Sequence, residues 1–169
     1  GVTDLDGAFW GCESLENVEI PKGVTKLHNT FTGCKGLKKI TIPESVTMIG
    51  DNTFQDSGLT EIAIPSSVET IGRYVFSGCL SLEDVQIENG VNLIESHAFD
   101  GCSKLKNVVI PESVTSMGEQ TFHECGALES VDILGKITKL EYATFFGCPN
   151  LENVQLPDTL EEIKASAFG

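Results

Sequence analysis

The chain has 169 residues, 40% of them hydrophobic, enough to bury a sizeable core. Its 25 acidic residues against 11 basic ones leave a net charge of −14, which opposes adhesion to nucleic-acid phosphates and to anionic membrane surfaces. No apolar run approaches the roughly 18 residues a membrane span needs, so direct insertion is not expected either.

In chain order, the first strong feature is Phe9, and it recurs as Phe31, Phe54, Phe76, Phe99, Phe122, Phe145 and Phe168, every 22 or 23 residues. Such a period is the mark of stacked structural repeats, and it precedes any question of individual elements. Six of these Phe are followed three residues later by Cys12, Cys34, Cys79, Cys102, Cys125 or Cys148, and Ser57 holds that slot after Phe54. A residue that recurs once per unit at one register is read as a small core filler. Buried free thiols are therefore preferred to disulfides, and a single file of side chains does not supply the converging ligands of a metal site.

After each Cys slot comes an L-x-x-[VI]-x-[IL] pattern, as in Leu82/Val85/Ile87 and Leu105/Val108/Ile110. Alternation with β-branched residues at period two predicts a short half-buried strand. Proline closes it at Pro21, Pro43, Pro65, Pro111 and Pro157, with Glu88 and Leu134 as exceptions. A second apolar pair follows, for example Val46/Ile49 and Val114/Met117, and Gly50, Gly72 and Gly118 are expected to permit a tight bend before the next Phe. One unit has too few inward side chains for a core of its own, so each must bury its faces on its neighbours. At about 4.8 Å per strand, seven units would make a parallel sheet about 35 Å long. The whole of 1–169 is thus expected to be one solenoid domain, with the chain entering and leaving within a repeat. Unsealed ends of such a stack predict end-to-end self-association.

The motifs L-x-x-[VI]-x-[IL]-P, [VIL]-x-x-[ILM]-G and A-F-x-G-C, repeated over essentially the full length, resemble the leucine-rich repeat superfamily and, within it, the BspA-like (Treponema pallidum-type) class. The resemblance implies a β-rich, right-handed leucine-rich repeat solenoid of about seven short coils with a parallel sheet on one face. It also implies a secreted or cell-surface bacterial setting and a role in adhesion to host or bacterial proteins. One residue missing after Phe54 and the short links Leu5–Phe9 and Leu27–Phe31 depart from the pattern and bear on local curvature.

Ligands of leucine-rich repeat proteins often lie on the sheet face. Here its outward positions form two ladders, Asn17, Lys39, Glu61, Asp84, Asn107, Ser130 and Asn153 beside Glu19, Thr41, Ala63, Gln86, Val109, Asp132 and Gln155. They are polar and carry no aromatic, so a merely solvated face remains the bland alternative to a binding face. Trp10 and Phe146 occupy the slot after a rung Phe, where Thr32, Gln55, Ser77, Asp100 and His123 stand elsewhere; they suggest a contact edge, with ordinary packing against a neighbouring segment as the bland alternative, and Tyr74 and Tyr142 lie nearby. His28, His97 and His123 fall in three different slots and are not expected to converge. No hydrolase, metalloprotease or phosphate-loop motif occurs. No enzyme activity, cofactor or metal is therefore expected. Two readings stay open: an adhesin-like protein-interaction module, or a structural spacer holding another domain away from the cell.

Overall fold

The computed structural model describes residues 1–169 and contains no helix. Twelve short strands, all paired in parallel, wind into a solenoid. The L-x-x-[VI]-x-[IL] segments supply β3 (Glu61–Ile64), β5 (Asp84–Ile87), β7 (Asn107–Ile110), β9 (Ser130–Ile133) and β11 (Asn153–Gln155) on one long-strand face. The second apolar pair of each unit, expected only as an inward pair, also forms strands: β1 (Lys26–Leu27), β2 (Met48–Ile49), β4 (Thr70–Ile71), β6 (Leu93–Ile94), β8 (Ser116–Met117), β10 (Lys139–Leu140) and β12 (Glu162–Ile163). The solenoid consequently has two sheeted faces rather than one.

Neither face is continuous. On the short-strand face β1-β2-β4-β6-β8 pair in order and β10-β12 pair apart from them. On the long-strand face β3 pairs with β5, and β7-β9-β11 form a second group. The strand expected at residues 17–20 and the one at 39–42 do not form, and no backbone hydrogen bond joins those segments to a neighbouring coil. The 35 Å sheet is thus corrected to two shorter ones. These two coils follow the short links Leu5–Phe9 and Leu27–Phe31. Between 39–42 and 61–64 the coils are still pinned just before the gap, where the Thr60 amide donates to the Lys38 carbonyl at 3.0 Å. The long-strand face is open where the short-strand face is closed, and the reverse holds between β8 and β10, so successive coils stay joined on at least one face.

The Phe edge is what never breaks. Neighbouring rings from Phe9 to Phe168 stack at centroid separations between 5.1 and 5.7 Å and are nearly parallel. Beside them the amides of Phe31, Phe54, Phe76, Phe99, Phe122 and Phe145 each donate to the next coil at 2.8–2.9 Å. Thr30, Thr53, Thr121 and Thr144, buried next to the rings, satisfy their hydroxyls on nearby carbonyls, Thr53 on Gly50 and Thr121 on Gly118 at 2.7 Å. No buried side-chain nitrogen or oxygen lacks a partner.

All six cysteines are free, and only Cys12 is exposed. Each buried thiol donates to the carbonyl of the Phe one coil back, Cys79 to Phe54 at 3.0 Å and Cys102 to Phe76 at 3.2 Å, while Cys79 also meets Ser57 at 3.3 Å. Burial pushes Cys34 up to about 11 and Cys79 up to about 12, and Cys102 and Cys125 well above the ordinary thiol value. They are core rungs, in line with their register.

The sharp bends lie elsewhere than expected. Gly50, Gly72 and Gly118 have no positive φ; a Cβ on any of them would sit within 2.7 Å of the preceding coil, so they serve close approach. The left-handed residues are the second before each rung Phe, such as Asn52, Tyr74 and His97, and the second after it. The latter explains the Gly of A-F-x-G-C: Gly33, Gly78, Gly101 and Gly147 have φ of 70–75°, while Asp56 and Glu124 adopt φ of 54° and 53° without that freedom.

Candidate functional site: the long-strand face and the Phe edge

Strand alternation points the ladder residues outward. In β3 and β7 the exposed-then-buried pattern sets Glu61, Ala63, Asn107 and Val109 toward solvent and Ile62, Ile64, Val108 and Ile110 into the core. Register makes Glu61 the direct neighbour of Asp84 and Ala63 that of Gln86; Asn107, Ser130 and Asn153 align, as do Val109, Asp132 and Gln155. The missing pairing between β5 and β7 divides the ladders into two patches.

In the first patch Asn17, Glu19, Lys39, Thr41, Glu61 and Ala63 line one shallow groove, with Val18 and Ile40 as a half-buried floor. Asp84 and Gln86 line an adjoining hollow with Glu61 and Ala63. The groove exists because the coils are unpaired there: β-branched residues that are sealed in β5 and β7 are here left partly uncovered. Lys39 forms an ion pair with Glu61 at 2.7 Å and thereby offsets the repulsion between Glu61 and Asp84 directly opposite. Exposed pairs of this kind contribute little to stability, about 0–1 kcal/mol.

The second patch is quieter. Ser130 donates to the Asn107 side chain at 2.7 Å, which ties one ladder to itself. Val109, 48% exposed, joins Leu134 and Pro111 in a hollow on the proline edge, where Leu134 and Glu88 stand in place of proline. Asp132, Asn153 and Gln155 line no groove with the first patch.

On the Phe edge, Trp10 is 72% exposed and Phe146 42%. They share a slot but lie at opposite ends of the stack of rings, so they form no common site. The middle of this edge was missed by slot counting. His97 and His123, expected not to converge, both reach Asp100: His97 Nδ1 lies 3.3 Å from Oδ2 and His123 Nδ1 2.9 Å from Oδ1. Asp100 and His123 occupy the same slot on consecutive coils, and the left-handed turn at His97 brings its ring back over the same position. That adjacency was readable from the spacing. No group of three or more His, Cys, Asp or Glu side chains is arranged to hold a metal ion, and no helix is long and apolar enough to cross a membrane.

The BspA type Leucine rich repeat region family matches residues 5–125 and 69–169 in six copies, one fewer than the seven Phe spacings suggest. No curated protein matches the chain. Among solved structures, a leucine rich cell surface protein from Faecalibacterium prausnitzii is 32% identical over 97% of this chain, which covers 55% of that protein, with a TM-score of 0.57. A leucine-rich repeat protein from Eubacterium ventriosum is 30% identical over 89% of the chain and 41% of its own length, with a TM-score of 0.79. The T. pallidum leucine rich repeat protein is 27% identical over 70% of the chain and 66% of its own, with a TM-score of 0.54. The chain thus spans about half the length of the first two structures it resembles. Repeated motif, stacked Phe rungs and family match agree: this chain belongs to the BspA-type leucine-rich repeat family.

Proposed function

We propose that the chain is a protein-interaction module of a secreted or cell-surface bacterial protein, presenting its long-strand face to a protein on a host or bacterial surface. The observation that carries this reading is the groove in which Asn17, Glu19, Lys39, Thr41 and Glu61 meet over an incompletely covered apolar floor. The cell-surface description of the F. prausnitzii relative supports the setting. An acidic chain with a net charge of −14 favours a partner with basic groups. The spacer reading draws on the absence of Trp, Tyr and Arg from both ladders, since such residues dominate binding hot spots.

Beads coated with the purified chain, applied to intact epithelial and bacterial cells, separate the two. Adherence that is lost in a folded Asn17→Ala/Lys39→Ala/Glu61→Ala variant supports the module. Adherence unchanged in that variant overturns the strand-face site, and wild-type beads that adhere to nothing favour the spacer. End-to-end association belongs to the same reading, and a concentration-independent monomer in sedimentation would dismiss it.

A further inference from the structure

The coils repeat one pattern, so a departure from it marks something the fold itself does not need. Two departures meet on the proline edge. The second outward position of the long strand is Glu19, Thr41, Ala63, Gln86, Asp132 or Gln155 elsewhere, and Val109 in one coil. The position that closes the strand is proline or Glu88 elsewhere, and Leu134 in one coil. Neither aliphatic side chain serves the core: Val109 is 48% exposed and Leu134 44%. The fold uses only the backbone of Leu134, whose amide donates to the Ile110 carbonyl at 2.9 Å, a bond that Glu88 makes equally to Ile64 at 3.1 Å. Both side chains open onto one hollow, where half-buried Ile87 and Pro111 complete an apolar lining.

A second hollow lies one coil further along the same edge. It shares Leu134 and Glu112 with the first and adds Leu156 and Pro157. From Ile87 to Leu156 the apolar strip crosses four coils, about 15 Å at roughly 4.8 Å per coil. An α-helix laid along it repeats at about 5.4 Å per turn, so side chains at i and i+3 or i+4 fall into successive hollows, and about ten residues cover the strip. An extended strand, with about 6.8 Å between side chains on one side, drifts out of step after a single coil. Glu88 and Glu112 line the first hollow and Glu112 and Asp158 the second, against a single cation, Lys136. None of these three carboxylates enters an ion pair of the protein.

We propose that this strip is a second docking surface, for an amphipathic helix of a partner protein that sets an aliphatic stripe into the hollows and carries lysine or arginine on its flanks. The spacing of the hollows selects the helix, and the unpaired carboxylates select its charge. The strip shares no residue with the groove between Asn17 and Ala63, so the two can be tested apart.

The test is NMR titration of the isotope-labelled chain, at physiological salt, with three peptides of leucine, lysine and alanine that carry the same charge. The first sets its leucines in one helical stripe, the second scatters them around the helix, and the third keeps the stripe but has proline in place of a central alanine. Bulk attraction to an acidic protein treats the three alike. The strip binds the first about tenfold more tightly than the others, with shifts centred on the amides of Val109 and Leu134. Val109→Gln and Leu134→Glu place in each slot the residue that Gln86 and Glu88 already hold in another coil, so the fold is kept, as circular dichroism verifies. Each weakens the first peptide about tenfold, although Leu134→Glu adds a negative charge that would strengthen a purely electrostatic attachment, whereas Lys39→Ala/Glu61→Ala leaves it unchanged. Failure of the first peptide to bind, equal affinity for the three, or binding that survives both variants overturns the proposal.

Discussion

Phe99→Ala tests the central claim that the stack of rings is the spine of the molecule. Phe99 is fully buried and lies 5.1 Å from Phe76 and 5.2 Å from Phe122, so the substitution opens a cavity and breaks two stacked contacts at once. Truncating a buried Phe costs about 3–5 kcal/mol, and each aromatic pair adds about 0.5–1.5 kcal/mol beyond burial, which places Phe99 toward the upper end of that range. The comparison is Phe168→Ala. That ring is 47% exposed and has one stacked neighbour, Phe145 at 5.3 Å, so its loss costs about 1–2 kcal/mol. Because stability in a solenoid is the sum of unit and interface contributions, removing a central rung weakens two adjacent interfaces and uncouples the two halves. Differential scanning calorimetry should show a broadened or split transition for Phe99→Ala and a single, slightly lowered one for Phe168→Ala. Equal losses in the two variants, or a Phe99→Ala protein that melts as cooperatively and as high as wild type, would refute the reasoning.

Other outcomes follow from the turns, the thiols and the open seam. Glu124→Gly relieves a left-handed residue at φ 53° and should stabilise by about 1 kcal/mol in urea unfolding, whereas Gly101→Ala, at φ 71° with no clash to explain a loss, should destabilise by about 1–2 kcal/mol. An Ala at Gly101 that costs nothing would show that the A-F-x-G-C glycine is not there for its backbone. At mildly alkaline pH a thiol reagent should titrate one exposed cysteine, Cys12, at once and the other five only on unfolding. Since burial raises Cys79 from 9.0 to about 12, the folded state holds that proton more tightly than the unfolded one. Its contribution is full below pH 9 and is lost as pH rises from 9 toward 12. Cys79→Ser, matching Ser57, should make the alkaline fall in stability shallower, and an identical pH profile would count against it. By hydrogen exchange, the amides of 39–42 should be less protected than those of β7 and β9 by an order of magnitude or more, because they have no backbone partner. Equal protection would mean that the seam closes in solution.

Most of the architecture was legible because each unit repeats its own constraints. Phe99, Cys102, Leu105, Val108 and Ile110 could be placed in the core from one coil and checked against the others, and parallel pairing followed from the single direction of winding. What spacing alone did not reveal was where pairing fails. Residues 39–42 have the same apolar pattern as 107–110, and both segments read as strands. They differ in what precedes them: 39–42 lies in a coil entered through the short link Leu27–Phe31, and 107–110 in one entered through the longer link Ile94–Phe99. The same limit applied to Gly50, Gly72 and Gly118, whose role depends on how near the previous coil lies rather than on their own φ.

The two candidate surfaces divide along this line. The strand-face ladders were readable because alternation at period two fixes which side chains face out. Whether they make a groove depends on the seam, and only the first patch has one. The cluster on the Phe edge was hidden for another reason. It joins residues from two slots, His97 before the rung and Asp100 and His123 after it, and comparing each slot only with itself keeps them apart. In a solenoid, neighbours on one edge of consecutive coils are near even when their slots differ, provided the left-handed turn between them folds one over the other. Asp100 meets that condition from both sides, through His97 in its own turn and His123 one coil on. The left-handed turn at His97 is thus what brings two different slots together on Asp100.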